Sequence, residues 1–403
     1  MRVRIPIQAG GERGGHGVLR LRGTARFAHR PAALRMTVAK VMLWALGLWC
    51  GVASATTYYV SNSGTDAAGC TTAATACRTL GYVNSSITLN PGDSVLLQRG
   101  GVWNEQLIPS GSGTSGSPIS FDAYGTGAAP VITAAAPVPF VSGSWSYVSG
   151  STWKATVATT ILSPTLNVVE FGNLYGRKQP FGSGCAGSIV SKYDWCVSWP
   201  SLYVYSAAGV NPVTTYAADG AIVPTVAQAS GLAMISIVGK KWLTFQHIKV
   251  QNFDYMGVSV TGASDNLVFA NMEVDGMVPY GTTPLGFYVN VSSGSGTSIQ
   301  FLNDDAHLNY DGFKVSGAAA VTVTNCRGYA NRDTGLTDAT SGANHVTYSY
   351  SHFYGNNVAQ FPTSDVVGGI AGSGNVSSLI PPVAVNFRTY PARFSFTVDD
   401  VGS

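Results

Sequence analysis

Five phrases of one design recur in the second half of the chain: LTFQHIKV at Leu243, LVFANMEV at Leu267, IQFLNDDA at Ile299, VTVTNCRG at Val321 and VTYSYSHF at Val346. Their starts lie 24, 32, 22 and 25 residues apart. Within each phrase, apolar positions alternate with small or polar ones, the period of a strand with one buried face. A Gly/Asn turn follows, and then a second short strand, at 257–260, 286–289, 312–315 and 335–336. A unit this small, with two or three strands, cannot bury its own inward face. Successive units must therefore stack, with parallel neighbours about 4.8 Å apart and one continuous core between them. The uneven intervals mark insertions such as VPYGTTP and VSSGSG, of a kind that often lines the binding face of a solenoid.

Upstream, from Thr56 to about Thr133, short apolar runs (Tyr58 to Val60, Ser94 to Leu97, Ile119 to Phe121, Val131 to Ile132) alternate with Gly, Ser, Asn and Pro clusters, and helix signals are nearly absent. Between about 134 and 232 the repeat is lost. That stretch carries Trp145, Trp153, Trp195, Trp199 and the motif NLYGRKQP, and it reads as a β-rich insertion whose large aromatics form a small core of their own. After Phe361 the Gly/Ser/Val/Pro-rich text reads as a linker, so that 362–403 would hold a linker and the start of a second domain. An all-β sandwich would instead show evenly spaced strands without recurring phrases.

The phrases TYYVSNSGTD, LNPGDSVLLQRGGVWNEQL, SGTSGSPISFDAYGTGAAPVI and WLTFQHIKVQNF resemble the opening of secreted right-handed parallel β-helix proteins, the pectate-lyase-like superfamily. The resemblance runs over most of 56–360 and implies an N-terminal cap followed by the first coils. The expected fold class is thus all-β, a right-handed parallel β-helix (solenoid) over 56–361 with a β-rich insertion. It implies no particular activity. The arginine motif of pectate lyases is absent, as is the full set of Asp and Gly-His-Gly motifs of polygalacturonase-like hydrolases.

Composition narrows the partners. Only 43 of the 403 residues are charged, against 48 Gly, which excludes coiled coils and charged disordered chains. The formal charge of +3 is misleading, because the first 55 residues hold nine bases (Arg2, Arg4, Arg13, Arg20, Arg22, Arg26, Arg30, Arg35, Lys40) and one acid, Glu12. Without them 14 bases face 19 acids, about −5, which argues against nucleic acid. Met36 to Ala55 has the one Lys, the apolar run and the Ala-Ser-Ala ending of a signal peptide, with 1–35 read as a non-native upstream leader. An extended or organelle-directing leader is the alternative. The apolar run is short of the roughly 20 residues of a membrane span, and no later segment supplies one. The expected product is a secreted monomer.

Export permits disulfides. Cys70 with Cys77 and Cys185 with Cys196 make two local staples, Cys326 is left as a small buried hydrophobe, and no zinc spacing is present.

The densest polar cluster is NDDAHLNYDGFK, with Asp304, Asp305, His307, Asp311 and Lys314; Arg332 and Asp333 come one coil later. Stacking can bring such side chains into one groove, with a polysaccharide as partner. Alternation in the strand should turn Phe313 and Val315 inward and Lys314 outward. A lyase of acidic glycans needs the substrate carboxylate neutralised, often by a cation such as Ca²⁺ held by Asp, and a Lys, Arg or His base. A glycoside hydrolase needs two carboxyl groups at a defined separation. Two alternatives remain open. Asn and Asp stacked at solenoid corners commonly serve only the turn backbone, and a noncatalytic carbohydrate-binding or surface-attachment module would use the same groove. His247, inside an apolar phrase, reads as structural.

At the far end, RFSFTVDD resembles the first motif, T-F-D-D, of polysaccharide deacetylases. The resemblance would make Asp399 a base and Asp400 a metal ligand. Val398 departs from the pattern, and no H-x-x-x-H follows before Ser403.

Overall fold

The computed structural model describes residues 54–378 except 68, 136–141, 157–165, 172–173, 180–183, 199, 220–221, 227–232, 277–282, 292–297, 318–319, 341–344 and 357–364. The leader and signal-peptide expectations, Trp199 and the Asp399/Asp400 motif lie outside these residues.

Three parallel sheets build the coils, the first beginning at Thr57–Val60, the second at Val102–Trp103 and the third at Ile235–Val238. The first contains Lys241–Gln246, Asp265–Ala270, Ser298–Leu302, Ala320–Thr324 and Val346–Ser349 in that order. The second contains Lys249–Gln251, Glu273–Asp275, Asp305–His307, Arg327–Tyr329 and His352–Tyr354, and the third Met256–Gly262, Leu285–Val291, Asp311–Val315 and Leu336–Asp338. Each coil visits the first, second and third sheet in turn, and the protein is a parallel β-helix. Leu243 pairs with Leu267, Leu267 with Ile299, Ile299 with Val321 and Val321 with Val346, the register that the repeated phrases predict.

Inward positions build the core. Phe121, Phe245, Phe269 and Phe301 stack coil on coil, with ring centroids 4.7, 5.4 and 5.1 Å apart and planes within 15°. Phe287 and Phe313 of the third sheet stack at 5.0 Å and meet the first column edge-on.

The corner between the first and second sheets is one residue in the left-handed region: His247 (φ 53°), Asn271 (54°), Asn303 (58°), Asn325 (54°) and Tyr350 (52°). Asn tolerates this conformation best after Gly, and here the amides also form a ladder, Asn325 Nδ2 donating to Asn303 Oδ1 (2.7 Å) and Asn303 Nδ2 to Asn271 Oδ1 (3.3 Å). His247 Nδ1 lies 2.8 Å from Asp122 Oδ1 in the neighbouring coil, a structural contact.

A second ladder lies inside the corner between the second and third sheets. The N–H groups of Asn309, Asn331 and Asn356 donate to the side-chain oxygens of Asn331, Asn356 and Asp365, at 3.0, 3.0 and 3.1 Å. Coils approach so closely there that a Cβ on Gly286 or Gly312 would stand 2.5 or 2.7 Å from a carbonyl oxygen of the next coil.

Near the first coils, the helix Leu80–Ser86 is capped by Thr79 and adds Leu80 and Val83 to the core. Both disulfides, Cys70–Cys77 and Cys185–Cys196, are present. The insertion leaves the helix after Val131–Thr133 and returns at Ile235–Val238. It holds a five-stranded, largely antiparallel sheet and a three-stranded one, with Trp145, Trp153 and Trp195 buried. Beyond Phe361, inside the stretch whose composition reads as linker, Val366–Val367, Ile370–Ala371 and Val376–Ser378 continue all three sheets.

Candidate active site

Asp304, Asp305, His307, Asp311, Lys314, Arg332 and Asp333 fall into three places. Asp304 follows the left-handed corner residue Asn303 and is turned inward, with no solvent exposure. Its Oδ1 accepts from Met272 N–H (2.8 Å) and its Oδ2 from Leu302 N–H (3.2 Å). Burial pushes its carboxyl well above the usual carboxylate range. Cys326 stands in the same column one coil on, also buried, its thiol pushed up by burial and then by the Asp304 charge. In this position Asp304 serves the coil backbone and is closed to a glycan.

Asp305 and His307 point outward from the second sheet. Register puts Lys249, Glu273, Asp305 and Arg327 in one column and Asp275, His307, Tyr329 and Tyr354 in the next. Arg327 forks onto Asp305, Nε donating to Oδ1 at 2.6 Å and the second guanidinium nitrogen to Oδ2. A shallow depression of about 260 Å³ beside this pair is also lined by Asn325, Tyr350 and His352. Lys249 Nζ and His307 Nε2 lie 2.7 and 3.1 Å from Glu273 Oε1. The His307 hydrogen bond, then that of Lys249, brings the Glu273 carboxyl down to about 2. Rings of His307, Tyr329 and Tyr354 stack at 4.8 and 5.2 Å, so their faces meet each other rather than solvent.

Glu273, Asp275 and His307 can each aim one ligand atom at a common point, all within 4.8 Å. They do not suit Ca²⁺, which takes about 6–8 oxygen ligands: one of the three is an imidazole, and the Lys249 ammonium already lies against Glu273 and 3.9 Å from Asp275.

The remaining four residues come together where the chain enters the third sheet. Phe313 and Val315 are buried and Lys314 faces outward between them, as alternation predicts. Lys314 Nζ donates to Asp311 Oδ2 at 2.7 Å, and Thr334 Oγ1 to Asp311 Oδ1 at 2.9 Å. One coil on, the N–H groups of Arg332 and Asp333 donate to Asn309 and Tyr310 carbonyls (2.7 and 2.8 Å), fixing both residues over the Asp311 turn. The Arg332 guanidinium lies 5.9 Å from the Tyr310 ring centroid. Asp333 accepts a hydrogen bond from the Tyr310 hydroxyl, yet its carboxyl is raised, first by burial and then by the Asp311 charge. Tyr310 is raised as well, by burial and by both carboxylates. The cluster thus holds a buried, ion-paired carboxylate and, beside it, a partly open carboxyl group raised from its ordinary value.

Sequence reading missed Tyr310, Thr334, Lys249, Glu273 and Asp275. The second-sheet residues were legible in principle, since aligning the five phrases on their starts places Lys249, Glu273, Asp305 and Arg327 in one charged column.

No protein-family model matches the sequence. The chain is similar to the lacto-N-biosidase of Bifidobacterium longum subsp. longum, 36% identical over 138 residues, a match that takes in 30% of this chain but only 8% of that protein's length. Among solved structures it is similar to pectate lyase Pel9A (16% identity, 79% of this chain and 58% of that one, TM-score 0.43). It is also similar to the lacto-N-biosidase of Eubacterium ramulus (14% identity, 79% and 55%, TM-score 0.34).

Proposed function

We propose that the protein is a secreted, monomeric polysaccharide-active enzyme that hydrolyses a glycosidic bond beside Asp311 and Asp333. The observation that carries this reading is the pairing of two carboxyl groups from successive coils in different environments. Asp311 is buried and tied to Lys314 and Thr334, and Asp333 is partly open and raised. In this assignment Asp333 protonates the departing glycosidic oxygen as its bond to the sugar carbon breaks, and a water molecule then adds to that carbon and returns a proton to the Asp333 carboxylate. Burial, and then the Asp311 charge, raise the Asp333 carboxyl, the direction an acid requires. The segment that resembles a lacto-N-biosidase supports hydrolysis, and the two disulfides support export. A second reading, elimination from a uronic acid, has one specific observation in its favour: Lys314 and Arg332 share the cluster with Asp333, as a base and a carboxylate-neutralising group would.

The test is incubation of the purified protein with a panel of neutral and acidic glycans, following reducing ends and the ultraviolet absorbance of unsaturated products. Hydrolysis gives reducing ends alone, and Asp333→Asn should lower the rate by about 10²–10⁴-fold. Absorbance together with reducing ends would move the assignment to a lyase. Binding with no cleavage of any glycan would replace the enzyme by a carbohydrate-binding module.

A further inference from the structure

Tyr350 stands where the ladder of the first corner calls for an asparagine. The amides of Asn271, Asn303 and Asn325 are linked coil to coil, and Tyr350 holds the next rung in the same left-handed conformation, φ 52°. That conformation suits Asn better than an aromatic residue. His247, the other departure from Asn in this column, is held by Asp122. Tyr350 has no such anchor: the residue is 57% exposed, and its hydroxyl has no hydrogen-bond partner among the described residues. The next coil nevertheless makes room for the ring. Gly374, left-handed at φ 73°, could not carry a Cβ without striking Tyr350 Cδ1. The fold thus keeps an exposed ring seated in one place, where Asn would satisfy the corner.

Beside it lies the depression of about 260 Å³, walled by Asn303, Asp305, Asn325, Arg327, Tyr350 and His352. Its polar groups have hydrogen-bonding capacity to spare. Because Tyr350 offers no amide, the ladder ends at Asn325 Oδ1, which accepts from no described residue. The exposed His352 ring has both nitrogens without a partner among the described residues. Arg327 is clamped by its fork on Asp305 and lies 5.9 Å from the Tyr329 ring centroid, yet the fork engages only two of its three guanidinium nitrogens. Asp305 and Arg327 cancel each other's charge, and no second carboxylate, guanidinium or ammonium lines the place. Fixed donors and acceptors of no net charge, next to an exposed aromatic ring, match the hydroxyls and the C–H face of a neutral sugar. The volume falls below the roughly 300–1,000 Å³ of an enclosed ligand pocket, which suits one residue of a chain rather than a whole ligand.

We propose that this depression is a second glycan-binding site, which holds a neutral sugar residue against Tyr350 and does not cleave it. Its one carboxyl group, Asp305, is already paired with Arg327, so the two carboxyl groups of a hydrolase are not available there. Along the same coil the strand Asp305–His307 separates it from the Asp311 cluster. The clamped Arg327 and the seated ring lose little freedom on binding. The inference does not depend on hydrolysis at Asp333.

The experiment is saturation-transfer NMR titration with neutral probes, namely cellotetraose, xylotetraose and β-1,4-galactotetraose, and with tetragalacturonate as the charged control. At least one neutral probe should bind with Kd on the order of 1 mM, unaffected by added salt because no charge is matched. Tyr350→Asn supplies the missing amide rung while removing the ring. It should weaken that binding about five- to tenfold and leave the thermal midpoint equal to or above the parent's. His352→Ala should weaken it about threefold. Failure of every neutral probe to bind, binding that Tyr350→Asn leaves unchanged, a Tyr350-dependent preference for tetragalacturonate, or a lowered midpoint in Tyr350→Asn overturns the proposal. The two sites separate cleanly: sugar binding at Tyr350 persists in Asp333→Asn, and cleavage at Asp333 persists in Tyr350→Asn, so either reading can fail alone.

Discussion

Replacing Phe301 by Ala tests whether the stacked interior holds the helix together. Phe301 is 1% exposed and touches three other rings: Phe269 at 5.1 Å, nearly parallel, and Phe287 and Phe313 at 4.9 and 5.4 Å, edge-on. A buried Phe removes roughly 150–250 Å² from water, about 4–6 kcal/mol at 25 cal/mol per Å². Denatured chains already hide about 10–40% of that area, which brings the transfer term to about 2–5 kcal/mol. Lost ring geometry adds about 0.5–1.5 kcal/mol per pair, against partial collapse of the cavity, so Phe301→Ala should cost about 4 kcal/mol. Gln300, the outward neighbour on the same strand, should cost less than about 0.5 kcal/mol when changed to Ala. Guanidinium unfolding followed by circular dichroism reads both. Each coil touches only its neighbours, so a lesion in the middle can also split the transition, which a falling m-value reveals. An unchanged m-value with a Phe301→Ala loss below about 2 kcal/mol, or equal losses at both positions, would refute the argument that these columns carry the stability.

Two further outcomes follow from geometry. Glu273 has its folded pKa depressed from 4.5 to about 2, so its contribution is fully present above pH 4.5 and lost as pH falls through 2. With its side chain 41% exposed, that contribution is about 1 kcal/mol. Glu273→Gln should flatten the acid limb of the stability curve by this amount, and an unaltered limb would mean that the His307 and Lys249 contacts are idle. Gly312→Ala places a Cβ 2.7 Å from the Gly335 carbonyl oxygen and 2.9 Å from Asn331 Nδ2. It should cost about 1–3 kcal/mol by overpacking, read as a lower midpoint in thermal unfolding; a neutral change would show that the coils can part there.

Much of the helix was legible because its inward columns are apolar and regular. Leu243, Leu267, Ile299, Val321 and Val346 mark the coils in the register that the sequence implies. Hidden inside each phrase was a corner. In LTFQHIKV one left-handed residue, His247, separates Leu243 and Phe245 from Ile248 and Val250, so two strands on different sheets read as one. The same corner misleads for Asp304: strict alternation cannot say that the residue after Asn303 turns inward, and nothing in NDDAH distinguishes Asp304 from its outward-facing, half-buried neighbour Asp305. That Asp311, Lys314, Arg332 and Asp333 lie together was legible because the coil interval sets Arg332 and Asp333 one turn after Asp311. Arg177 and Asp194 could not be paired from sequence, since both lie in an insertion whose path no repeat predicts.

The two ladders divide the labour of variation. In the five coils that start at Lys241, Asp265, Ser298, Ala320 and Val346 one corner is a single left-handed residue, locked to its neighbours by amides or packing, whereas the last coil, at Ile370–Ala371, carries one residue more there. The longer stretches between strands, such as 276–284 and 339–345, fall instead at the corners flanking the third sheet. Lengthening a loop at such a place costs only about 0.6 kcal/mol per doubling, and the sheets on either side keep their register. A lineage carrying this scaffold can therefore rewrite what surrounds Asp311 and Asp333 by small insertions and deletions, at little thermodynamic risk, while the closed corner keeps the coils counted.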